Sequence, residues 1–233
     1  MTNNLLQIKI KQRLNKLSSM DYDNIECWMI QEAFNKAQLE WVRRQMYGLN
    51  TRKEGTEQST GLVDDLQRLM DSKILSGVKA RGYYEINLPN DYLYFVRVDA
   101  FGKKECCPDE RRMTVYQAEE ANMGVLLTSD TKGPSFEWGE TLCTLVGDKV
   151  RVYTNDEFDL KNITLVYYRK PEEVRFLDCA NPNSGGTYDV PVQCEFKDDI
   201  AEILVDEAAA ILAGDMESIT QYQRQSQEVQ TNS

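Results

Sequence analysis

The final third of the chain constrains the fold more than any other part. The apolar run Ile163-Thr164-Leu165-Val166-Tyr167-Tyr168 reads as a buried strand and stops at Arg169-Lys170-Pro171, because proline cannot donate to a sheet ladder and restricts the residue before it. A polar loop follows. Tyr188-Asp189-Val190-Pro191 then opens into an apolar, alanine-rich helix over about 195–213. No neighbour in sequence can cover that helix, so its apolar surface has to return to the helices at the start of the chain.

Two helices are expected there. Leu5, Leu6, Ile8, Ile10, Leu14 and Leu17 recur largely at helical spacing and end at Ser18-Ser19. Asp21 or Asp23 then caps a second helix that runs to about Tyr47, with Gly48 in the stop position. At 100° per residue, Ile25, Met29, Ile30, Ala33, Phe34, Ala37 and Trp41 cover one broad face of it. Trp28, Leu39, Val42 and Met46 form a second, separated stripe. Two apolar faces want two partners. Either both are buried within the subunit, or the second stripe is a subunit interface.

Residues 49–60 are polar and glycine-bearing, an exposed loop, and residues 62–70 read as a short helix. Between Ile74 and Tyr168 the composition shifts to Tyr and Val, with strand-like runs at 78–88, 94–101, 142–146, 149–153 and 163–168. Gly147-Asp148 separates two of them as a hairpin turn. A helix is expected over 115–127, and Pro134 restarts an extended segment carrying Phe136 and Trp138. The glutamine-rich end, 221–233, has the composition of a solvated tail.

Chemistry is sparsely represented. Histidine is absent, which removes the commonest general base and imidazole ligand. The net charge of −11 excludes a globally basic, phosphate-neutralising surface. At 233 residues with 41% apolar content the chain can bury a real core, and no apolar run approaches the ~20 residues of a membrane span. Lys9, Lys11 and Arg13 interrupt what would be the apolar part of an export signal. Cys27, Cys106, Cys107, Cys143, Cys179 and Cys194 lack a paired spacing, and reduced thiols in a cytoplasmic setting are expected. Asn155, Asp156, Glu157 and Asp159 lack the order of a calcium loop and read as a solvated hairpin loop. Cys106-Cys107 has no second pair at zinc spacing. Ser184-Gly185-Gly186-Thr187 lacks the lysine and helix of a phosphate loop and reads as a flexible loop. No spacing singles out a carboxylate pair for hydrolysis among 38 acidic residues.

The remaining informative residues form an ordered series. Leu88-Pro89-Asn90-Asp91-Tyr92-Leu93 precedes a strand; Ala118-Glu119-Glu120-Ala121-Asn122, Pro134-Ser135-Phe136-Glu137-Trp138, Tyr167-Tyr168-Arg169-Lys170-Pro171 and Val190-Pro191 follow. The series resembles the head-to-tail connector (adaptor, or ring) proteins of short-tailed bacteriophages, most nearly in the character of crAss-like phages, over residues 86–214. The resemblance implies an α+β fold: a helical bundle of N-terminal helices (1–73) and a C-terminal helix (172–233, with loop and polar tail), into which an antiparallel β-domain, barrel or sandwich, is inserted (74–171) with one internal helix. It implies a non-enzymatic subunit of a homo-oligomeric ring, commonly dodecameric, without catalytic residues, cofactor or metal. Such a ring joins portal protein to adjacent ring and tail proteins at the portal vertex of the virion, is assembled in the bacterial host cytoplasm, and passes genomic DNA without specific binding. Exposed tyrosines on a β-domain also suit a carbohydrate-binding protein of a phage tail or cell surface.

Overall fold

A computed structural model describes residues 1–15, 25–47, 64–105, 109–181 and 184–215. The positions of Asp21, Asp23, Gly48, the 49–60 loop, Cys106-Cys107 and the 221–233 tail lie outside them. The protein is α+β and divides into two compact units, one made of residues 1–68 and 171–233, the other of residues 69–170.

In the helical unit, α1 (Asn3–Leu14) buries Leu6, Ile10 and Leu14, spaced one turn apart. α2 (Cys27–Met46) buries Ile30, Ala33, Phe34, Ala37 and Trp41 on the broad face read from sequence. α4 (Asp198–Asp215) opens with Asp198 and Asp199 at its positive end, where carboxylates are favourable. It packs against both α2 and α1. Its small side chains, Ala201, Ala208, Ala209 and Ala213, are fully buried, which permits close helix approach. Trp41 meets Phe196 edge-on, with ring centroids 5.3 Å apart.

Charge fixes the register of these helices. Lys9 and Arg13 of α1 pair with Glu202 and Asp206 of α4, and Arg44 of α2 pairs with Glu207. Glu207 is 3% exposed. Burial pushes its carboxyl up to about 7, with Glu40 adding to the rise against the opposing pull of the Arg44 guanidinium.

An extended strap, residues 172–179, runs antiparallel along α2 and is held by side-chain amides. Gln38 Nε2 donates to Glu172 O (3.5 Å); Asn35 accepts from Val174 N (2.8 Å) and donates to Val174 O (3.2 Å); Gln31 Oε1 accepts from Phe176 N (3.0 Å). The amides supply the hydrogen bonds that a partner strand would give, leaving no cost for the strap's buried backbone. At the end of this row Cys27 and Cys179 form a disulfide, Cα–Cα 5.8 Å, across 152 residues. The expectation of reduced thiols is therefore corrected at this pair. Nothing in the spacing announced it, because the fold brings the two residues together.

The sheet unit is one curled eight-stranded sheet, β1 (Met70–Leu75), β2 (Val78–Ala80), β3 (Tyr83–Asn87), β4 (Tyr92–Lys103), β5 (Arg111–Gln117), β6 (Glu140–Val146), β7 (Lys149–Tyr153) and β8 (Asp159–Arg169), in the order β1-β8-β4-β5-β6-β7-β3-β2. The expected antiparallel sheet is corrected to a mixed one, since β5 pairs β6 in parallel, Thr114 beside Glu140. A parallel pair needs a crossover. Residues 118–139 provide it, with a 3-10 turn (Glu120–Asn122) and α3 (Met123–Leu126). The helix expected over 115–127 is thus confined to that short stretch, and Val115 and Tyr116 belong to β5. Residues expected to end a short helix at Met70 instead begin β1, which pairs with β8 from Met70–Tyr168 to Leu75–Ile163.

β6 and β7 are joined by the two-residue turn Gly147-Asp148, with Gly147 at φ +59°. The concave face buries Ile86, Val98, Met113, Cys143, Val150, Val152, Leu165 and Tyr167. Both sheet edges belong to consecutive chain. Only Ser76-Gly77 separates β1 from β2, and a Cβ on Gly77 would lie 3.1 Å from Ile163 Cδ1 and 3.3 Å from Tyr84 Cδ1. A bare α-carbon lets the chain turn over the core there.

Candidate subunit interface

The second stripe of α2 separates into two environments. Trp28, Leu39 and Met46 are half-buried. Val42 is 0% exposed and belongs to the chain's own core, so the reading of all four as one candidate interface is corrected at Val42. Fourteen residues on from Trp28, it is rotated by about 40° towards the amide side of the helix. The outward side of α2 carries Glu32, Lys36 and Arg43, all exposed.

A second surface of the helical unit was missed by sequence reasoning, which left the stretch between Pro171 and Tyr188 as a polar loop and Tyr188-Asp189-Val190-Pro191 as the lead into the C-terminal helix. The strap turns back on itself: Arg175 and Val192 exchange backbone hydrogen bonds of 3.1 and 3.0 Å, Tyr188 N donates to Cys179 O, and Ala180 bridges Thr187. Asn3 Nδ2 donates to both Arg175 O (2.9 Å) and Val192 O (3.1 Å), tying the arm to the start of α1. Its inward side chains, Val174, Phe176 and Cys179, are buried, whereas Leu177 and Val190 are 56% and 71% exposed. Nothing in the sequence sets these two apart from the buried apolar residues of the same stretch, Val174, Phe176 and Cys179. Asp178 and Asp189 flank Leu177 and Val190 and are exposed. The Arg175 guanidinium lies 5.7 Å over the Tyr188 ring.

The sheet unit presents polar clusters whose charges are internally matched. Tyr167 donates to Asp91 (2.9 Å), Lys73 pairs with Asp91 at 2.9 Å, and Tyr92 stacks on Tyr167. Burial works to raise the Asp91 carboxyl, but the hydrogen bonds from Lys73 and Tyr167 outweigh it and hold the group below its ordinary value. The acidic loop is likewise engaged: Asp156 accepts from Gly82 N, Glu157 pairs with Lys104, and Asp159 pairs with Lys79 while accepting from Tyr84. Asn155 and Asp156 both take left-handed backbone, φ +50° and +57°, which asparagine and aspartate tolerate best among non-glycine residues. Beside this loop lies an open cavity of about 490 Å³ lined by Arg81, Tyr83, Leu127, Tyr153, Asn155 and Asp156.

Neither free thiol among the described residues is activated. Burial pushes Cys143 up to about 12 and also raises Cys194, the opposite of what a nucleophile needs. No helix among the described residues is long and apolar enough to cross a membrane. In comparisons with known proteins the chain matches no family model and no curated protein.

Proposed function

We propose that the chain is a non-enzymatic virion structural protein, a subunit of a head-to-tail connector ring that extends the portal channel and joins capsid to tail. One observation carries this reading. Helices from the two ends of the chain pack in one unit, with Lys9 paired to Glu202 and Arg13 to Asp206, while residues 69–170 form a sheet unit interrupting them. This supports the arrangement that the resemblance implies, in which α1, α2 and α4 form a bundle and a β-domain is inserted between them. The ring, a dodecamer, contacts portal protein, adjacent ring and tail proteins, or both. Its net charge of −11 per chain suits a conduit through which DNA slides without adhering. Reconstruction of the virion's portal vertex tests the proposal. The chain is expected as a ring on the tail axis; recovery only as a free monomer, absent from particles, refutes it. Trp28→Glu is expected to block incorporation of a folded subunit.

A second reading is favoured by the cavity beside the acidic loop, whose lining combines the half-buried Tyr83 and the edge of buried Tyr153 with Arg81, Asn155 and Asp156. Rings beside planar polar groups suit a sugar, and this reading makes the protein a carbohydrate-binding component of a phage tail or cell surface. A glycan array would reveal binding that Tyr83→Ala abolishes.

A further inference from the structure

We infer that the arm formed by residues 175–181 and 184–192 docks on the Leu39 surface of α2 in a second copy of this chain. The contact deepens the ring reading and rests on it.

The arm is built as a rigid projection. The disulfide to Cys27 and the Gln31 and Asn35 amides fix its inner side, and Asn3 fixes its base. Such pre-organisation removes most of the ordering cost that a mobile loop incurs on binding. Its outer side offers Leu177 and Val190 to solvent, bordered by Asp178 and Asp189. Among the described residues neither aspartate forms an ion pair.

The Leu39 surface has the complementary character. Lys36 and Arg43, one turn to either side of Leu39, are exposed and form no ion pair among the described residues. Glu32, the other exposed charge of α2, lies a further turn towards the N-terminus. A half-buried apolar residue bracketed by cations thus occurs on the same chain as two exposed apolar residues that each adjoin an anion, the arm's own cation, Arg175, being held over the Tyr188 ring. Each surface supplies what the other lacks.

One copy cannot close this contact on itself. The arm is stapled beside the first turn of α2 at Cys27, whereas Leu39 lies about 18 Å farther along the helix at 1.5 Å per residue. Two different patches at separate points along one helix make a heterologous, head-to-tail contact, the kind that generates rings.

The test uses the full chain and light scattering after size-exclusion chromatography over a concentration series. One variant carries Asp178→Lys and Asp189→Lys; the other carries Lys36→Glu and Arg43→Glu. Each alone is expected to weaken self-association about tenfold or more. Mixing the two is expected to restore it, since each arm then meets an oppositely charged helix at every junction. All four positions are exposed, and unchanged circular dichroism verifies that the variants fold. Association by either variant alone at wild-type strength, or failure of the mixture to recover, overturns the docking. A wild type that stays monomeric at every concentration also overturns it, while the connector reading falls only if the chain is missing from the tail axis of particles.

Discussion

In the sheet unit, Leu165 and Tyr167 of β8 reach a core made by strands on either side of them, and Val166 and Tyr168 between and beyond them are buried as well. In the helical unit, Gln31, Asn35 and Gln38 bind backbone groups more than 130 residues away, and buried Glu207 faces Arg44. The first arrangement rests on apolar area, which responds to truncation and is largely indifferent to redox state. The second rests on polar matching and one covalent bond, so it responds to solution chemistry. The same chain thus contains one unit that a reductant leaves alone and one that a reductant can loosen.

The largest effect should come from Tyr167→Ala. Tyr167 is 0% exposed and anchors Asp91 and the Tyr92 ring; its loss should destabilise the sheet unit by about 3–5 kcal/mol. Calorimetry should show the sheet transition moving down while the helical transition stays in place. Equal movement of both would erase the distinction between the units. Next is Cys27→Ser, which should cost the helical unit about 2–4 kcal/mol, with added reductant reproducing the loss in the wild type and changing nothing in the variant. Chemical denaturation with and without reductant measures both.

The smallest effect is a pH dependence whose sign differs between the units. The Glu207 carboxyl is raised from 4.5 to about 7, so the folded state binds its proton more tightly. Its contribution to stability is full below pH 4.5 and is lost as pH rises towards 7. Asp91 is held below 3.8, so its contribution is present above that value and is lost as pH falls through the depressed one. Glu207→Gln should flatten the helical unit's stability between pH 4.5 and 7 and leave the sheet unit's acid limb untouched. A slope that persists in the variant would assign the titration to another group.

Legibility in the sequence followed how local each signal is, whichever unit it belongs to. The strand at 149–153, the Gly147-Asp148 turn and the broad face of α2 were readable because their signals are local: alternation, a turn dipeptide, helical spacing. β1 was not, since Met70-Asp71-Ser72-Lys73 carries no β-branched residue to distinguish it from the end of a helix. The parallel β5–β6 pairing was hidden because it depends on a crossover with little regular structure of its own. Of the candidate interface, Trp28 and Leu39 were legible as apolar residues on a largely charged side, but Val42 was not separable from them. The arc that decides its burial is set by what packs against α2, above all the C-terminal helix α4, which comes from more than 150 residues away. For the same reason the arm's apolar pair and the Cys27–Cys179 bond left no local trace.

The pairing of β1 with β8 has a mechanical meaning. Met70 stands opposite Tyr168, so the chain comes into the sheet unit and leaves it on adjacent strands at the same end. A pull on those two points would load the inter-strand hydrogen bonds one after another, as in opening a zipper, rather than all together in shear. The same proximity means that a short peptide bridging residues 69 and 170 could replace the whole unit without stretching the chain on either side.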